Sequence, residues 1–196
     1  MKWIVITPPD FIQNEAAFIE QLFEQGLDLL HLRKPNAPVE AYHRLLTMIP
    51  IEWHSRIVLH EHFELVNDFS LYGVHLNRRC AQVPNDFKGS ISRSCHSLAE
   101  VAVHKSMCNY VFLSPIFNSI SKEGYEAAFS NEALQQAAAE GLIDEKVVAL
   151  GGVTAQNIEQ LRTWHFGGAA FLGDVWNRVH HPQFEKYLAL LRAQLS

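Results

Sequence analysis

A histidine-rich segment and two glycine turns are the first features of this sequence that point to chemistry. The chain has 11 histidines, and residues 60–62 read His-Glu-His. Two imidazoles make an incomplete transition-metal site, and no third ligand stands nearby in the sequence. The turns at Gly151-Gly152 and Gly173 indicate anion binding instead, because backbone amides at such turns converge on groups such as phosphate. A Gly-Gly pair is also common in ordinary tight turns, so its place in the fold matters.

Short apolar runs alternate with amphipathic stretches along the whole chain and position these residues. Most of the runs are continuously apolar and do not alternate between apolar and polar residues. This pattern is typical of parallel strands buried on both faces. Eight such strands separated by crossovers favour a closed α/β barrel over an open sheet. The predicted strands span residues 3–7, 27–33, 56–60, 72–76, 90–94, 110–113, 146–150 and 169–172.

Helical sequence fills most of the connections between these strands. Predicted helices span residues 15–25, 39–48, 63–67, 130–140, 154–164 and 182–195, and another opens at Ser97. Ser97 and Glu100 have the spacing of a capping box, in which each side chain bonds a free backbone amide. Residues 78–88 carry no helical period, so an open flavodoxin-like sheet stays as the alternative. We predict a single compact (β/α)8 TIM barrel over residues 1–196, with trimmed loops and helices.

In a (β/α)8 barrel the active site lies where the strands end and the following loops begin. Polar residues gather at the predicted strand ends and are rare within the strands. The glycine turns follow the seventh and eighth strands, which is the usual phosphate-binding position of such barrels. The candidates at the strand ends are His31, Arg33, Lys34, His60, Glu61, His62, His75, Asn77, Ser94, His96, residues 114–122, Gly151, Gly152, Gly173 and Asp174.

Composition disfavours several classes of protein. Hydrophobic residues make up 48% and charged residues 19% of the chain, as in ordinary globular domains. A formal net charge of -5 leaves no basic excess for binding nucleic acid. The three cysteines are too few and too scattered for a disulfide framework, and no run approaches the ~20 apolar residues of a membrane span. The sequence predicts a soluble, cytoplasmic protein without nucleic-acid or membrane partners, and leaves homo-oligomerisation open.

Four segments carry a resemblance to a known family. They are Asn109 to Lys122 around Ser-Pro-Ile-Phe, Val147 to Thr154 around Gly-Gly, Gly73 to Leu76 (Gly-Val-His-Leu), and Arg93 to Ser97 (Arg-Ser-Cys-His-Ser). In their order along the chain, from Gly73 to Thr154, they resemble motifs of the thiamine phosphate synthase and thiazole tautomerase family. The resemblance implies a barrel transferase that joins hydroxymethylpyrimidine diphosphate to a thiazole phosphate, with Mg²⁺, and releases pyrophosphate.

The resemblance also implies roles for individual residues. Arg33 and Lys122 match positions that take up charge on the leaving pyrophosphate, and His96 matches a position near the site where it could handle a proton. Glu61 stands near one Mg²⁺ ligand position of the family and Cys80 near the other. The predicted substrate and phosphate contacts are His31, Lys34, His60, Ser94, Ser119, Ser121, Gly151, Gly152 and Gly173.

The chain departs from the synthase pattern on one side of the predicted site. Pro35 stands where the family's Gln-x-Arg-x-Lys motif has lysine, with Lys34 beside it as an imperfect substitute. Cys80 is a poor Mg²⁺ ligand because a thiol is a soft donor. Arg78 and Arg79 add positive charge where the synthase keeps negative charge, and such residues could partly replace a cation against pyrophosphate.

Two alternatives to the synthase remain open. The sequence His31-Leu32-Arg33 and the segment from Arg93 to Leu98 resemble the tautomerase branch, which moves a proton on a thiazole phosphate without metal. That branch has a loop histidine where Pro115 stands, so its base here would be His96. The other alternative is a non-catalytic phosphate-binding regulator. We rank the synthase first because the loop after the sixth strand keeps the family's Pro-Ile-Phe, two hydroxyls and Lys122.

Overall fold

Eight parallel strands close into a barrel in the computed structural model, which describes residues 1–118 and 128–196. The strands are β1 (Lys2–Ile6), β2 (Leu29–Leu32), β3 (Ile57–Leu59), β4 (Gly73–Leu76), β5 (Ser90–Cys95), β6 (Tyr110–Leu113), β7 (Val147–Ala149) and β8 (Gly168–Phe171). Each strand pairs with its neighbours in sequence, and β1 closes the barrel with β8, where Trp3 lies opposite Ala169. The predicted (β/α)8 barrel is confirmed, and the open flavodoxin-like sheet is wrong.

The helices of the barrel are short, as expected from a chain of this length. They are α1 (Glu15–Glu24), α2 (Val39–Met48), α3 (Leu65–Asp68), α4 (Leu98–His104), α5 (Asn131–Ala139), α6 (Ile158–Thr163), α7 (Gly173–Trp176) and α8 (Phe184–Leu195). Three turns of 3-10 helix are added at Ile51–Arg56, Lys105–Met107 and Ala155–Asn157. Residues 77–89, between β4 and β5, are all described and form no helix. Among the described helices none has the length and hydropathy that a bilayer span needs.

Apolar side chains form two packed layers, one on each face of the sheet. The outer layer lies between the strands and the helices, where for example α2 buries Tyr42, Leu45 and Leu46 along one face. The inner layer fills the barrel and is smaller. Its buried apolar members are Ile4, Ile6, Leu29, Tyr110, Phe112, Val148 and Ala170. Most strands are buried on both faces and are therefore apolar at most positions, whereas β5 (Ser90–Cys95) is largely polar and only partly buried.

Candidate active site at the barrel mouth

Three histidines occupy the barrel interior near the carboxyl ends of β2, β3 and β4. His31 lies within β2, His75 lies within β4, and His60 directly follows β3; all three are buried. Their ligand nitrogens lie within 4.8 Å of one another. His31 Nδ1 and His60 Nε2 share a hydrogen bond of 2.9 Å, and His31 Nε2 lies 2.7 Å from the Tyr110 hydroxyl. These three residues are called the histidine cluster below.

Two serine hydroxyls from β5 hold the third ring of the histidine cluster. His75 Nδ1 lies 2.9 Å from Ser92 Oγ, and His75 Nε2 lies 2.8 Å from Ser94 Oγ. Buried polar groups need such partners, so the hydroxyls of β5 and β6 explain how imidazoles are accommodated in the barrel. Ser94, predicted to contact phosphate, therefore also bonds a member of the histidine cluster.

Burial keeps the histidine cluster uncharged. It lowers the pKa of His31 and of His60 well below the ordinary value for histidine, and it lowers the pKa of His75 to about 3. The neighbouring imidazoles and the Arg33 guanidinium act in the same direction. Neutral imidazoles are the form that binds metals, but here the His60 and His75 rings are stacked, with centroids 4.2 Å apart. The arrangement as built is a neutral hydrogen-bond network.

His62 lies outside the histidine cluster, although it is next but one to His60 in sequence. Its Nε2 bonds the backbone oxygen of Ala37 at 2.8 Å, and its Nδ1 lies 3.3 Å from the Glu64 carboxylate. The ring partners of His60 come from β2 and β4, which the barrel brings beside it. The closeness of His60 and His62 in sequence therefore does not indicate which residues His60 contacts.

Arg33 presents a free guanidinium at the end of β2. Its backbone is pinned by Thr7, whose Oγ1 accepts from the Arg33 amide at 2.9 Å and donates to the Arg33 carbonyl at 3.1 Å. The half-buried guanidinium has no hydrogen-bond partner within residues 1–118 and 128–196. Burial, and then the nearby Arg79 guanidinium, lowers the pKa of Arg33, while Glu61 acts in the opposite direction. A free guanidinium fork in this position suits a phosphate group.

Lys34 points away from the mouth, so its predicted contact with substrate must be corrected. Its side chain is fully buried, and Nζ lies 2.6 Å from Glu15 Oε1. Nζ also donates to the backbone oxygens of Pro8 at 2.9 Å and Asp10 at 2.8 Å. An ammonium has three N–H donors, and all three are used. Lys34 fastens the β2 loop to α1 and to the β1 loop, and has no donor left for a ligand.

Glu61 is paired with an arginine from the next loop. Its Oε1 lies 2.6 Å from Arg79 Nε, and its Oε2 accepts from the Tyr42 hydroxyl at 3.1 Å. The Glu61 side chain is 10% exposed, whereas that of Arg79 is 45% exposed. Both carboxylate oxygens therefore already bond protein groups at the mouth of the barrel.

Asn77 builds the turn that brings Arg79 to this place. Its Nδ2 donates to the His60 backbone oxygen at 2.8 Å, which ties the end of β4 to the end of β3. Its Oδ1 accepts from the backbone amides of Arg79 at 2.9 Å and Cys80 at 3.2 Å. Such an Asx turn explains why Arg79 faces Glu61. Arg78 is exposed and has no partner in the part of the chain that the structure describes.

His96 lies at the start of α4 and reaches across to the β6 loop. Its Nδ1 lies 3.2 Å from the Ser114 backbone oxygen and 3.3 Å from Ser114 Oγ. Ser97 caps α4 by accepting from the Glu100 amide at 3.1 Å, as predicted. The Glu100 carboxylate accepts from the His96 amide at 2.6 Å. The reciprocal bond of the capping box therefore goes to His96 rather than Ser97, and it holds the backbone of His96.

The glycine turn after β7 stands close against the β6 loop. Gly151 and Gly152 have φ values of +93° and +64°, which glycine adopts without strain. A Cβ on Gly151 would lie 2.8 Å from the Pro115 Cα, and one on Gly152 would lie 2.4 Å from the Asn118 backbone oxygen. The amides of Gly151 and Gly152 bond no described residue. Two adjacent free amides in such a turn can bind an anion.

Gly173 opens α7 directly after β8, and a residue of α8 braces this segment. The Tyr187 hydroxyl donates to Asp174 Oδ2, and the backbone of Ala155 lies close enough to act on the pKa of Tyr187, which burial raises. Asp174 follows Gly173, and Ala155 follows the glycine turn of β7. Tyr187 therefore links the two segments that were predicted to bind phosphate.

Three predicted site residues lie outside the described residues. They are Ser119, Ser121 and Lys122, in the loop after β6. Their assignments stay predictions from the family resemblance.

Comparison with known proteins decides the family. A family model described as thiamine monophosphate synthase matches residues 3–175. The chain belongs to this family. A solved structure of thiamine phosphate pyrophosphorylase from Bacteroides thetaiotaomicron is 42% identical and has a TM-score of 0.89, covering 99% of this chain and 97% of that one. The thiamine-phosphate synthase of Photorhabdus laumondii is 24% identical over 173 residues, which are 84% of this chain and 80% of the relative.

Membership of the thiamine monophosphate synthase family confirms that the chain is a transferase of thiamine biosynthesis. Thiamine phosphate pyrophosphorylase from Pyrococcus furiosus, 19% identical with a TM-score of 0.74 over 99% of this chain and 95% of that one, supports the fold alone. The relatives named here are synthases or pyrophosphorylases, so the comparisons do not favour the tautomerase or the non-catalytic regulator.

Thiamine monophosphate synthases use Mg²⁺, but the residues here do not fit the family's two-carboxylate site. Both oxygens of Glu61 are engaged, one of them by the positive charge of Arg79. Cys80 stands at the second position, and burial raises the pKa of its thiol, which keeps it protonated. A protonated thiol and an ion-paired carboxylate are a poor donor set for a hard cation. The geometry therefore gives no support to Glu61 as a magnesium ligand.

Sequence reasoning missed several residues of this thiamine monophosphate synthase site. Tyr42, Ser92 and Tyr110 bond predicted site residues, yet they lie in a helix or inside strands rather than at strand ends. His75 stood among the strand-end candidates, but its role as a ring partner of His60 was not foreseen. The available signal was a polar residue within a buried strand, because such a residue needs a polar partner in the barrel.

Proposed function

We propose that this protein catalyses the synthase reaction of its family, joining hydroxymethylpyrimidine diphosphate to a thiazole phosphate and releasing pyrophosphate. The observation that carries the proposal is the presence of two anion-binding regions at one barrel mouth. Arg33 and Arg79 lie at the ends of β2 and β4, and the amides of Gly151 and Gly152, which bond no described residue, follow β7. The ends of β2 and β4 lie on either side of β3, and β3 is opposite β7 in the eight-stranded barrel. The two regions therefore face each other across the barrel mouth.

The thiazole phosphate is assigned to the β7–β8 side. Support comes from the amides of the glycine turn, which have no acceptor within residues 1–118 and 128–196, and from the short helix α7, whose first amides have no intrahelical acceptor. This is the common phosphate site of (β/α)8 barrels. Ser119 and Ser121, from the family resemblance, would add hydroxyl donors.

The pyrimidine diphosphate is assigned to the β2–β5 side. Arg33 supplies a guanidinium that bonds no described residue, and the family resemblance adds Lys122. His60 and Ser94 would contact the pyrimidine, since imidazole and hydroxyl groups bond a heterocycle as donors or acceptors. His31 is fully buried and both its ring nitrogens are bonded, to His60 and Tyr110, so we assign it to positioning His60 rather than to substrate contact. His96 is assigned to the mouth between this region and the β6 loop, where its ring lies against Ser114. Such preorganised groups are arranged where charge develops as the diphosphate leaves.

Pyrophosphate release from the two precursors tests the proposal. We expect pyrophosphate and thiamine phosphate in equal amounts, and neither product when one precursor is omitted. Arg33→Gln should reduce the rate by about 100-fold, as expected for loss of a charged group that stabilises a leaving group. Arg44→Gln is the control, because Arg44 is an exposed arginine of α2. A folded wild-type protein that releases no pyrophosphate under any condition would refute the synthase function.

Some expectations from the sequence stay part of this proposal. We propose that residues 1–196 act as one domain in the cytoplasm, on small phosphorylated pyrimidine and thiazole precursors, without nucleic-acid or membrane partners. Size-exclusion chromatography with light scattering would decide whether the protein is a homo-oligomer.

A further inference from the structure

We propose that the Arg79 guanidinium takes the place of Mg²⁺ in this protein, so that arginines stabilise the leaving diphosphate and the reaction needs no divalent cation. The inference rests on the synthase reaction proposed above and concerns only how the charge of its diphosphate is compensated. It also explains why the family's second carboxylate position can be occupied by Cys80.

Arg79 is anchored at one end and free at the other. Its Nε lies 2.6 Å from Glu61 Oε1, and its backbone amide is held by Asn77 Oδ1 at 2.9 Å. The two terminal nitrogens of the guanidinium have no partner within the described residues, and the side chain is 45% exposed. A guanidinium can bind phosphate through two parallel N–H donors. The Glu61 contact thus fixes the direction of Arg79 and leaves its donors for a ligand.

The surrounding charges favour an anion at this place. Arg33 and Arg79 lie close enough to each other that Arg79 contributes to lowering the pKa of Arg33. The same pair also disfavours the charged form of His60. Glu61 is the carboxylate that offsets these two guanidiniums, and it is 10% exposed. Two guanidiniums beside one carboxylate carry a surplus positive charge, which a diphosphate would neutralise and which would repel a divalent cation.

The reaction balances without a metal or a proton transfer. The bond between the pyrimidine methylene carbon and the diphosphate oxygen breaks, and its electron pair leaves with the diphosphate. The lone pair of the thiazole nitrogen forms the new carbon–nitrogen bond and the nitrogen becomes positively charged. The guanidiniums of Arg33 and Arg79 would bind the negative charge that appears on the leaving oxygen, which is the role of an electrostatic catalyst.

The first test is pyrophosphate release by the metal-stripped protein in excess chelator. We expect release at the rate seen with added Mg²⁺. Release that stops in chelator and returns with Mg²⁺ would overturn the inference while establishing the synthase function. This test uses the unaltered protein, so it does not depend on whether a variant folds.

The second test measures binding of inorganic pyrophosphate in chelator by titration calorimetry. Arg79→Gln should weaken binding by about 10-fold or more, since a hydrogen bond to a charged group is worth roughly 1.5–3 kcal/mol. Arg44→Gln is the control, because it removes an exposed arginine of α2, and it should bind as the wild type does. Arg79→Lys should bind with intermediate affinity, because the charge remains and the fork is lost.

Equal binding by Arg79→Gln and Arg44→Gln would overturn the inference. If no pyrophosphate is released under any condition, the proposed synthase function fails, and the calorimetric comparison still reports whether Arg79 holds a diphosphate.

Discussion

On the β7–β8 side of the barrel mouth the candidate anion-binding groups are backbone amides of Gly151 and Gly152, whereas on the β2–β4 side they are the side chains of Arg33 and Arg79. The glycine side resembles the family's Val-Val-Ala-Ile-Gly-Gly motif, with Leu150 in place of the isoleucine. The arginine side departs from the family pattern at Pro35 and Cys80. An amide site depends on backbone shape and tolerates little change. A site made of side chains can exchange one cation for another, provided that the charge is kept.

Removal of the buried ion pair behind the arginine side should have the largest effect on stability. Lys34→Met leaves the carboxylate of Glu15 buried without its partner, and burial already raises the pKa of Glu15. We expect the free energy of unfolding to fall by about 3–5 kcal/mol, measured by chemical denaturation. Lys105→Met removes a more exposed pair of the same length, with Asp144, and should cost less than about 1 kcal/mol. Equal losses in the two variants would contradict a structural role for Lys34.

The glycine side is tested by adding a single methyl group. Gly152→Ala forces a Cβ to within 2.4 Å of the Asn118 backbone oxygen at a φ of +64°. Backbone strain alone should cost about 1–3 kcal/mol, and the overlap should displace the β6 loop and raise the KM for thiazole phosphate. Gly141→Ala is the control, because its φ is +71° but no atom lies within 4 Å. If Gly152→Ala and Gly141→Ala lower the free energy of unfolding equally and leave the KM unchanged, the close packing at Gly152 does not contribute to substrate binding.

The histidine cluster lies between the two sides and should make stability depend on pH. Histidines of the unfolded chain take up protons below about pH 6.5, whereas burial holds the pKa of His75 at about 3 and lowers the pKa of His31 and His60. The unfolded state therefore binds more protons between these values, and the free energy of unfolding falls as pH falls from 7 to 5. Each histidine contributes up to about 1 kcal/mol per pH unit.

Denaturation at a series of pH values measures this slope. His31→Gln should make the slope smaller, because one buried imidazole is removed. A free energy of unfolding that stays level between pH 7 and pH 5 would show that the cluster is charged or open to water in the folded protein.

The smallest effect is expected from a change at Tyr187, which lies behind the glycine side. Tyr187→Phe removes the hydroxyl that donates to Asp174 Oδ2. We expect the KM for thiazole phosphate to rise a few-fold, corresponding to about 1 kcal/mol for the lost hydrogen bond, with kcat unchanged. Steady-state kinetics with each precursor varied in turn measures the split. A fall in kcat alone would argue that Tyr187 acts on the chemical step and not as a positioning residue.

Much of the fold could be predicted because hydrophobic periodicity is a local property of the chain. The eight apolar runs became the eight strands, and the stretch between β4 and β5 lacked a helical period and forms no helix. The glycine turn was equally predictable, since positive φ values at Gly151 and Gly152 are a backbone requirement that the residue type reveals. Arg33 at the end of β2 followed from the strand boundary alone.

The tertiary structure decided which side chains meet, because contacts between strands depend on closure and register rather than on sequence distance. Lys34 and Arg33 are adjacent in sequence, yet the Lys34 side chain is buried against Glu15, whereas the half-buried guanidinium of Arg33 lies at the mouth. His60 meets His31 and His75 instead of its near neighbour His62. The sequence by itself determined the barrel and the glycine turn, and the folded chain decided that Glu61 pairs with Arg79, since that contact needs the Asn77 turn to join the ends of β3 and β4.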